Sequence, residues 1–553
     1  MQRLFMQASV LVIGAIVVFP LLSLLSLSIS GDSTSGVWSH LASTVLPEYI
    51  KTSALLLLGV TVGTLLLGVS SAYIVSQYQF PGKRIWTWAL LLPLAMPTYI
   101  IAYAYTGLLD IAGPIQSFIR NQFGLSFGEY WFPEVRSLSG AIVVFSLVLY
   151  PYVYLLVRSA LLSQSPNLAS TARLFGYTRW QRFSRVTVPL ARPAIVAGVS
   201  LALMESLADF GAVSYFGVNT FTTGIYRTWN GLNSAAGAAQ LSLALLSFIA
   251  LLVLLEQYSR RKARYELKNQ QPRTDQKRLA GLKLVAALVT LSVPILFGFV
   301  VPVAQLVIWA IQHMDPLGWS SYIDLVVNTV SVAAITAAVA TTLALVMLYA
   351  QRIQNTKFTS KVTSILKTIV GLGYAVPGIV IAVGTLIPLA LFDNALDSLL
   401  RSWFGVSSGL LLSGTLVALI LAYLVRFLTV SINSLEPGFG HIPQSLDMVS
   451  RTLGDRPLGV LKRVHFPLLR PSLLSALLIV FVETMKELPA TLILRPFNFN
   501  TLAVRAYELA SDERLPEAAM ASVTIVAVGL IPVIFLTRLM ARDSLGRNVQ
   551  PKL

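Results

Sequence analysis

Leu168-Ala-Ser-Thr-Ala-Arg-Leu-Phe-Gly176, running on to Arg185-Val-Thr-Val-Pro-Leu-Ala-Arg-Pro193, is answered in the second half of the chain by Leu446-Asp-Met-Val-Ser-Arg-Thr-Leu-Gly454 and Arg463-Val-His-Phe-Pro-Leu-Leu-Arg-Pro471. Nine of the 26 aligned positions are identical, among them Leu168/Leu446, Arg173/Arg451, Gly176/Gly454, Arg185/Arg463 and Pro189/Pro467. The spacing is about half of a 553-residue chain, so it marks an internal duplication. Both copies are polar and basic, and the sequence around them is very apolar.

The chain is 55% hydrophobic and 12% charged, against about 25% charged in soluble domains. Runs such as 54–72 and 327–350 carry no charge and are long enough to cross a bilayer as helix. Further apolar runs fall near 4–27, 86–109, 141–162, 193–216 and 238–255. In the second half they fall near 281–311, 364–392, 409–430, 472–494 and 518–540. The expected fold is an all-α polytopic membrane protein of about 12 transmembrane helices in two parallel six-helix repeats. The first repeat spans 1–257 with its core at about 49–257. A basic linker covers 258–279, and the second repeat spans 280–553 with its core at about 325–540. The 4–27 run is too long for a typical signal-peptide core and reads as a retained helix. Pro93 and Pro97 should kink the third helix, and Pro377 follows Pro97 at nearly the repeat spacing.

The net charge of +17 does not indicate nucleic acid, because Lys and Arg gather in short segments between apolar runs. The basic turn 80–84, residues 161–192 and the linker all lie on one side of a six-helix pattern. That side is assigned to the cytoplasm, with both termini. Six crossings per half give the halves the same orientation, related by an axis along the membrane normal. There is no cysteine, hence no disulfide or thiolate site.

Each repeated segment, 163–193 and 441–471, reads as two short helices with a break. Ser165-Pro166 offers an N-cap and a first-turn proline, and Gly176 suits the left-handed position after a helix. Thr178-Arg-Trp-Gln181 has capping-box spacing, and Pro457 suits the first turn of a helix. About 30 residues are used where a helix connection needs two to eight, so each segment reads as a compact helical lever projecting from the cytoplasmic face.

Gly176, nine residues, then Val186-x-Val-Pro189, and Gly454, nine residues, then Val464-x-Phe-Pro467, resemble the EAA loop of type I ABC transporter permeases. The resemblance implies that the loops couple to an ATP-binding subunit through Ser170, Ala172, Gly176, Pro189, Ser450, Gly454 and Pro467. Ser170 and Met448 stand where the family has its glutamate. Met204-Glu-Ser-Leu-Ala-Asp-Phe-Gly-Ala-Val213 and Glu483-Thr-Met-Lys-Glu-Leu-Pro-Ala-Thr491 resemble the double-length permeases of ferric iron ABC importers. That narrower likeness implies ferric iron delivered by a periplasmic binding protein and two copies of a separate ATPase carrying ATP and Mg. It implies no cofactor in this chain and a bacterial inner-membrane location. Thiamine, polyamine and phosphonate permeases share the scaffold.

Glu205 and Asp209, and Glu483 and Glu487, are each spaced i, i+4, and the two pairs are related by the same offset as the repeated loops. On continuous helices each pair would share one face. A charge inside the membrane is a default functional-site hypothesis, and carboxylates suit a hard cation. Pairing of Lys486 with Glu483 or Glu487, or capping of other segments, is the structural alternative. Arg227 and Arg505 are candidates for contact with a binding protein. Tyr99, Tyr103, Tyr105, Tyr150, Tyr152 and Tyr154 cluster in the third and fourth helices, where packing is commoner than metal ligation. No pair among His40, His313, His441 and His465 has metal-ligand spacing, no metal site is assigned, and each histidine reads as a solvated loop residue. No Gly-x-x-x-x-Gly-Lys-[Ser/Thr] loop occurs, so ATP hydrolysis through that motif would belong to another chain. The intramembrane acids alone would also permit a secondary cation transporter, but such a protein has no use for two large docking loops. No nucleophile–base constellation marks an enzyme.

Overall fold

The computed structural model describes residues 2–30, 37–126, 128–164, 174–260, 277–313, 318–353 and 357–546. Ser165-Pro166, Ser170, Ala172 and most of the 258–279 linker lie outside the described residues. Eleven helices among those described are long and apolar enough to cross a membrane, or twelve if the bent pair Lys83–Ala95 and Thr98–Phe123 is one span. The protein is the expected all-α polytopic chain.

The spans expected at 86–109, with a kink at its prolines, and at 364–392 are both broken outright. Helix Lys83–Ala89 gives way to a 3-10 turn, Leu92–Ala95, and helix Thr98–Leu109 restarts after an extended Pro97. The chain turns by 90° there. In the second copy, helix Lys357–Gly371 leads to the turn Gly373–Ala375, and helix Gly378–Phe404 restarts after Pro377 in the same conformation. A proline cannot donate to the preceding turn, so the break frees carbonyls that need partners inside a membrane. Tyr150 donates to Leu90 O at 2.7 Å and Tyr154 to Thr87 O at 3.0 Å. In the second copy Thr429 donates to Val370 O at 2.7 Å. The Tyr105 hydroxyl donates to Phe297 O, and Tyr99 and Tyr103 pack ring against ring. These five clustered tyrosines are structural donors or packing groups.

Proline also explains three π-turns. Phe183–Thr187, Leu296–Val300 and Leu461–His465 each run into a helix whose second residue is proline: Pro189, Pro302 or Pro467. The residue before each proline donates five positions back, to Phe183, Leu296 or Leu461, and this widened turn accommodates the ring.

The chain forms two compact units. One holds Pro47–Thr220, Leu246–Met314 and Leu509–Leu553, the other Met1–Leu46, Phe221–Leu245 and Asp315–Glu508. We call them the first-repeat and second-repeat units after the copy that supplies most of each core. The units thus exchange segments relative to the sequence repeats. In the first-repeat unit, Leu138–Ser163 packs along Val188–Ala208, and Val301–Gln312 packs along Leu515–Gly546. Helix Leu46–Gln77 approaches Leu138–Ser163 closely at Gly63, where an added Cβ would stand 2.0 Å from Ser146 Oγ. Small residues at such crossings let membrane helices gain van der Waals contact where no hydrophobic drive exists. The same unit contains a two-residue parallel pairing of Tyr78–Gln79 with Lys277–Arg278, which ties the end of the linker to the residues before the basic turn. In the second-repeat unit, Gly318–Arg352, Leu416–Gly440 and Phe466–Met485 pack against one another. Gln2–Ser30 lies on Gly378–Phe404, Gly318–Arg352 and Lys357–Gly371.

Candidate functional site

The second loop is described throughout. Helix Gln444–Thr452 ends in a Schellman motif: Asp455 N donates to Ser450 O at 3.1 Å and Gly454 N to Arg451 O at 3.0 Å. Gly454 has φ 93°, and nothing lies within 4 Å of a Cβ built on it, so backbone conformation alone requires glycine. Gly176 has φ 74° and is equally open. Thr178 and Gln181 form the expected reciprocal box, with Thr178 N donating to Gln181 Oε1 at 2.9 Å and Gln181 N to Thr178 Oγ1 at 3.3 Å. Pro457 opens helix Pro457–Val460. The Ser450 hydroxyl, buried, donates to Asp455 at 2.8 Å, and Arg463 pairs with the other oxygen of Asp455 at 2.9 Å. Pro189 and Pro467 sit at the junction of π-turn and membrane helix.

Apolar side chains project from both loops. Leu174, Phe175 and Trp180 are exposed in the first, and Met448, Val449 and Leu453 in the second. Exposed apolar clusters on otherwise polar loops are the usual mark of a docking surface. Met448, at the position of the family glutamate, belongs to this apolar face.

The acids are placed differently from the i, i+4 expectation. Helix Val188–Ala208 ends between Glu205 and Asp209, and helix Phe466–Met485 ends between Glu483 and Glu487. Each pair is therefore split across a helix end and does not share a helical face. Asp209 accepts from Ala212 N at 2.8 Å and Val213 N at 3.3 Å, and from the Thr98 hydroxyl. Glu487 accepts from Ala490 N at 3.0 Å, Thr491 N at 3.2 Å and Thr491 Oγ1 at 3.0 Å, with Arg426 3.7 Å away. Both carboxylates thus satisfy the orphan N–H groups that open Gly211–Tyr215 and Pro489–Leu494, where the positive end of a helix favours an anion. Glu483 pairs with Lys486 at 2.8 Å. Glu205 is half-buried in the last helical turn, where its carbonyl accepts from Asp209 N. Among the described residues no three His, Cys, Asp or Glu side chains gather as a metal site.

Arg227 is exposed on helix Phe221–Asn230, and Arg505 is half-buried on helix Leu502–Ser511, both in the second-repeat unit. His40, His313 and His441 are exposed, but His465 is fully buried in the π-turn Leu461–His465, contrary to the expectation of a solvated loop residue. It stacks on Phe439 and meets Tyr349 edge-on, ring centroids 5.5 and 5.2 Å away. Thr98, Arg426 and Thr491, partners of the capping acids, carry no spacing signal. Pro489, just after Glu487, is the one local sign of a new helix start.

Residues 64–265 match the family model for the binding-protein-dependent transport system inner membrane component. The Fe(3+)-transport system permease protein FbpB 2 of Haemophilus influenzae is 25% identical over 507 residues, covering 89% of this chain and 90% of that one. The molybdenum transport system permease protein ModB of Escherichia coli is 27% identical over 203 residues, 36% of this chain and 86% of that one. The sulfate transport system permease protein CysT of Escherichia coli is 28% identical over 219 residues, 39% of this chain and 75% of that one. The chain is thus an all-α multi-pass protein with a built loop in each copy, its first copy matching that inner-membrane component family and nearly its whole length similar to a double-length permease.

Proposed function

We propose that this permease is the translocation subunit of an ATP-driven importer of ferric iron. A periplasmic binding protein delivers the cargo and a separate pair of ATPase subunits drives the cycle. The observation that carries the reading is the match to a ferric permease across nearly the full length of both chains. In this reading the loops at 163–193 and 441–471 receive ATPase movement through Ser170, Ala172, Gly176, Pro189, Ser450, Gly454 and Pro467. The exposed apolar groups of both loops and the left-handed glycines support it. The chain lies in the bacterial inner membrane with both termini in the cytoplasm, as the distribution of Lys and Arg favours. Arg227 and Arg505 contact the binding protein. Glu205 and Glu483, one helical turn before the breaks, act on the cation path. Asp209 and Glu487 hold the broken helices that line it.

A second reading has its own support. The molybdenum and sulfate permeases match one copy's worth of this chain, so an oxyanion cargo is the competitor. The test is to reconstitute the chain with its ATPase subunits in vesicles and supply the co-purifying binding protein loaded with ferric iron, molybdate or sulfate. ATP-dependent uptake of iron alone is expected. Uptake of an oxyanion without iron would replace the first reading by the second.

A further inference from the structure

The second loop is held by a charged anchor. Arg352 is the last residue of the membrane helix Gly318–Arg352, and all three of its nitrogens are engaged with the second loop region. Nε meets Asp447 Oδ2 at 2.7 Å, and the two terminal nitrogens donate to Phe439 O at 2.9 Å and Ile442 O at 2.7 Å. The other oxygen of Asp447 meets His465 Nε2 at 2.8 Å. His465 Nδ1 has no partner among the described residues, so the neutral ring donates from Nε2 and leaves a bare lone pair, not an N–H, unsatisfied. One turn earlier on the same helix, Tyr349 donates to Pro457 O at 2.5 Å. The end of one membrane helix therefore grips the entry to the loop at 439–442. Through Asp447 and Pro457 it also grips the loop's first helix, its second helix and the π-turn leading back into the membrane. The side chains of Arg352 and Asp447 are each 11% exposed, so water screens the pair little. An Arg fork that satisfies one carboxylate and two carbonyls fixes orientation as well as distance.

The first copy also sets a tyrosine against its own π-turn, at a different position of that turn, and its sequence lacks the charges. Tyr73 packs edge-on against Phe183 with centroids 4.9 Å apart, as Tyr349 does against His465. Aligned on that tyrosine pair, the position of Arg352 is Ser76. At the spacing of the repeated loops Asp447 is Ala169 and His465 is Thr187.

We infer that Arg352 and Asp447 are positioning residues that make the second coupling loop a rigid extension of Gly318–Arg352, through a charged pair that the first copy replaces by Ser76 and Ala169, so the two loops transmit ATPase movement unequally. The inference rests on the coupling role proposed for the loops. The chain has no cysteine, which allows one nitroxide label at a time. Phe175→Cys and Leu453→Cys place labels at equivalent exposed points of the two loops, 77% and 81% exposed. In the full-length purified chain the label at 453 should be less mobile than that at 175. Arg352→Gln should release the label at 453 to the mobility seen at 175 and leave 175 unchanged. Arg352→Lys keeps the charge but not the fork, guards against a variant that fails to fold, and should fall between. In the assembled transporter Arg352→Gln should reduce binding-protein-stimulated ATP hydrolysis about tenfold, the scale of a mutation within a coupling network. An unmoved label at 453 overturns the anchor. A released label with unchanged hydrolysis leaves the anchor standing and overturns the coupling role of the loop on which the inference depends.

Discussion

The helix breaks at Asp209 and at Glu487 are the same device built with different parts. In each, an acid just beyond a membrane helix turns back onto the N–H groups of the short helix that follows. In the first-repeat unit the acid is aspartate, and Thr98, first residue of the helix after Pro97, donates its hydroxyl to it. In the second-repeat unit the acid is glutamate, and the residue after the equivalent Pro377 is Gly378. A Cβ on Gly378 would stand 2.3 Å from Glu487 Oε1. One methylene has been gained on one helix and a side chain surrendered on the other. The longer acid then reaches Arg426, which lies over the rings of Tyr374 and Phe427; the first copy has Val148 at that position. Duplication preserved the cap, and the two copies solved the burial of its charge separately, by a neutral donor in one and a cation in the other.

The largest effect should come from breaking the solution that uses a cation. Arg426→Met leaves Glu487 buried without its counter-charge, and should cost about 3 kcal/mol, the low end for a broken buried pair because three hydrogen bonds to the carboxylate remain. The double variant Arg426→Met, Glu487→Gln should recover much of that, because the charge goes with its partner. Thermal unfolding of the purified chain, read as a double-mutant cycle, checks this; a double variant no more stable than Arg426→Met would show that the pair does not interact as described. Val148→Met in the first copy removes no charge partner and should shift the midpoint far less.

Next in size is an attempt to convert one solution into the other. Gly378→Thr forces a side chain against Glu487 and should destabilise by about 1–3 kcal/mol. Adding Glu487→Asp shortens the acid, recreates the Asp–Thr pair of the first copy and should restore part of the loss. If Gly378→Thr is tolerated equally with either acid, the size complementarity is not what separates the copies.

The same comparison separates capping from transport. Asp209→Asn keeps an acceptor for Ala212 N and Val213 N but removes the anion, so stability should fall by only about 1 kcal/mol. Glu205→Gln keeps the side chain's length and an acceptor oxygen, so stability should change little, yet it should lower ATP-dependent iron uptake if the carboxylate acts on the path. Normal uptake by both Glu205→Gln and Glu483→Gln would remove the acids from the proposed mechanism.

What could be read from the chain follows the range of the forces involved. The duplication, the membrane spans and the loop caps were legible, because each rests on residues a few positions apart: Gly176 and Gly454 after their helices, Thr178 with Gln181, proline at 189 and 467. The ends of Val188–Ala208 and Phe466–Met485 were not, because the apolar run continues through them and the stop is enforced by distant partners. Thr98 is 111 residues from Asp209, and no local pattern announces it. His465 was misplaced for the same reason: its pocket is made by Tyr349 and Phe439, which are near only in the fold. The anchor of the second loop joins Arg352 to Asp447 across 95 residues, so no local pattern announces it either.

The smallest effect is expected where the copies differ at a turn. Asn233 and Glu513, at nearly corresponding places in the two copies, are the two non-glycine residues with positive φ among the described residues, at 48° and 63°. Asparagine tolerates that region, and glutamate does so at a cost of about 1 kcal/mol. Glu513 is kept there by Arg136, whose terminal nitrogens lie 2.7 and 3.0 Å from its carboxylate oxygens. The hydrogen bond from Arg136 holds the Glu513 carboxyl below its ordinary value of 4.5. A depressed folded pKa means the contribution is complete above that ordinary value and fades as pH falls through the lower, folded one. The side chains are 35% and 64% exposed, so the pair is worth roughly 0.2–1 kcal/mol after screening. Glu513→Asn loses the pair and relieves the backbone, so at neutral pH its unfolding midpoint should match the parent's. On acidification below 4.5 the parent should lose slightly more stability than the variant. Unfolding curves from neutral pH to pH of about 3 compare the two directly; parallel curves would mean that Arg136 does not hold Glu513, and that the strained turn in the second copy persists for want of a better residue.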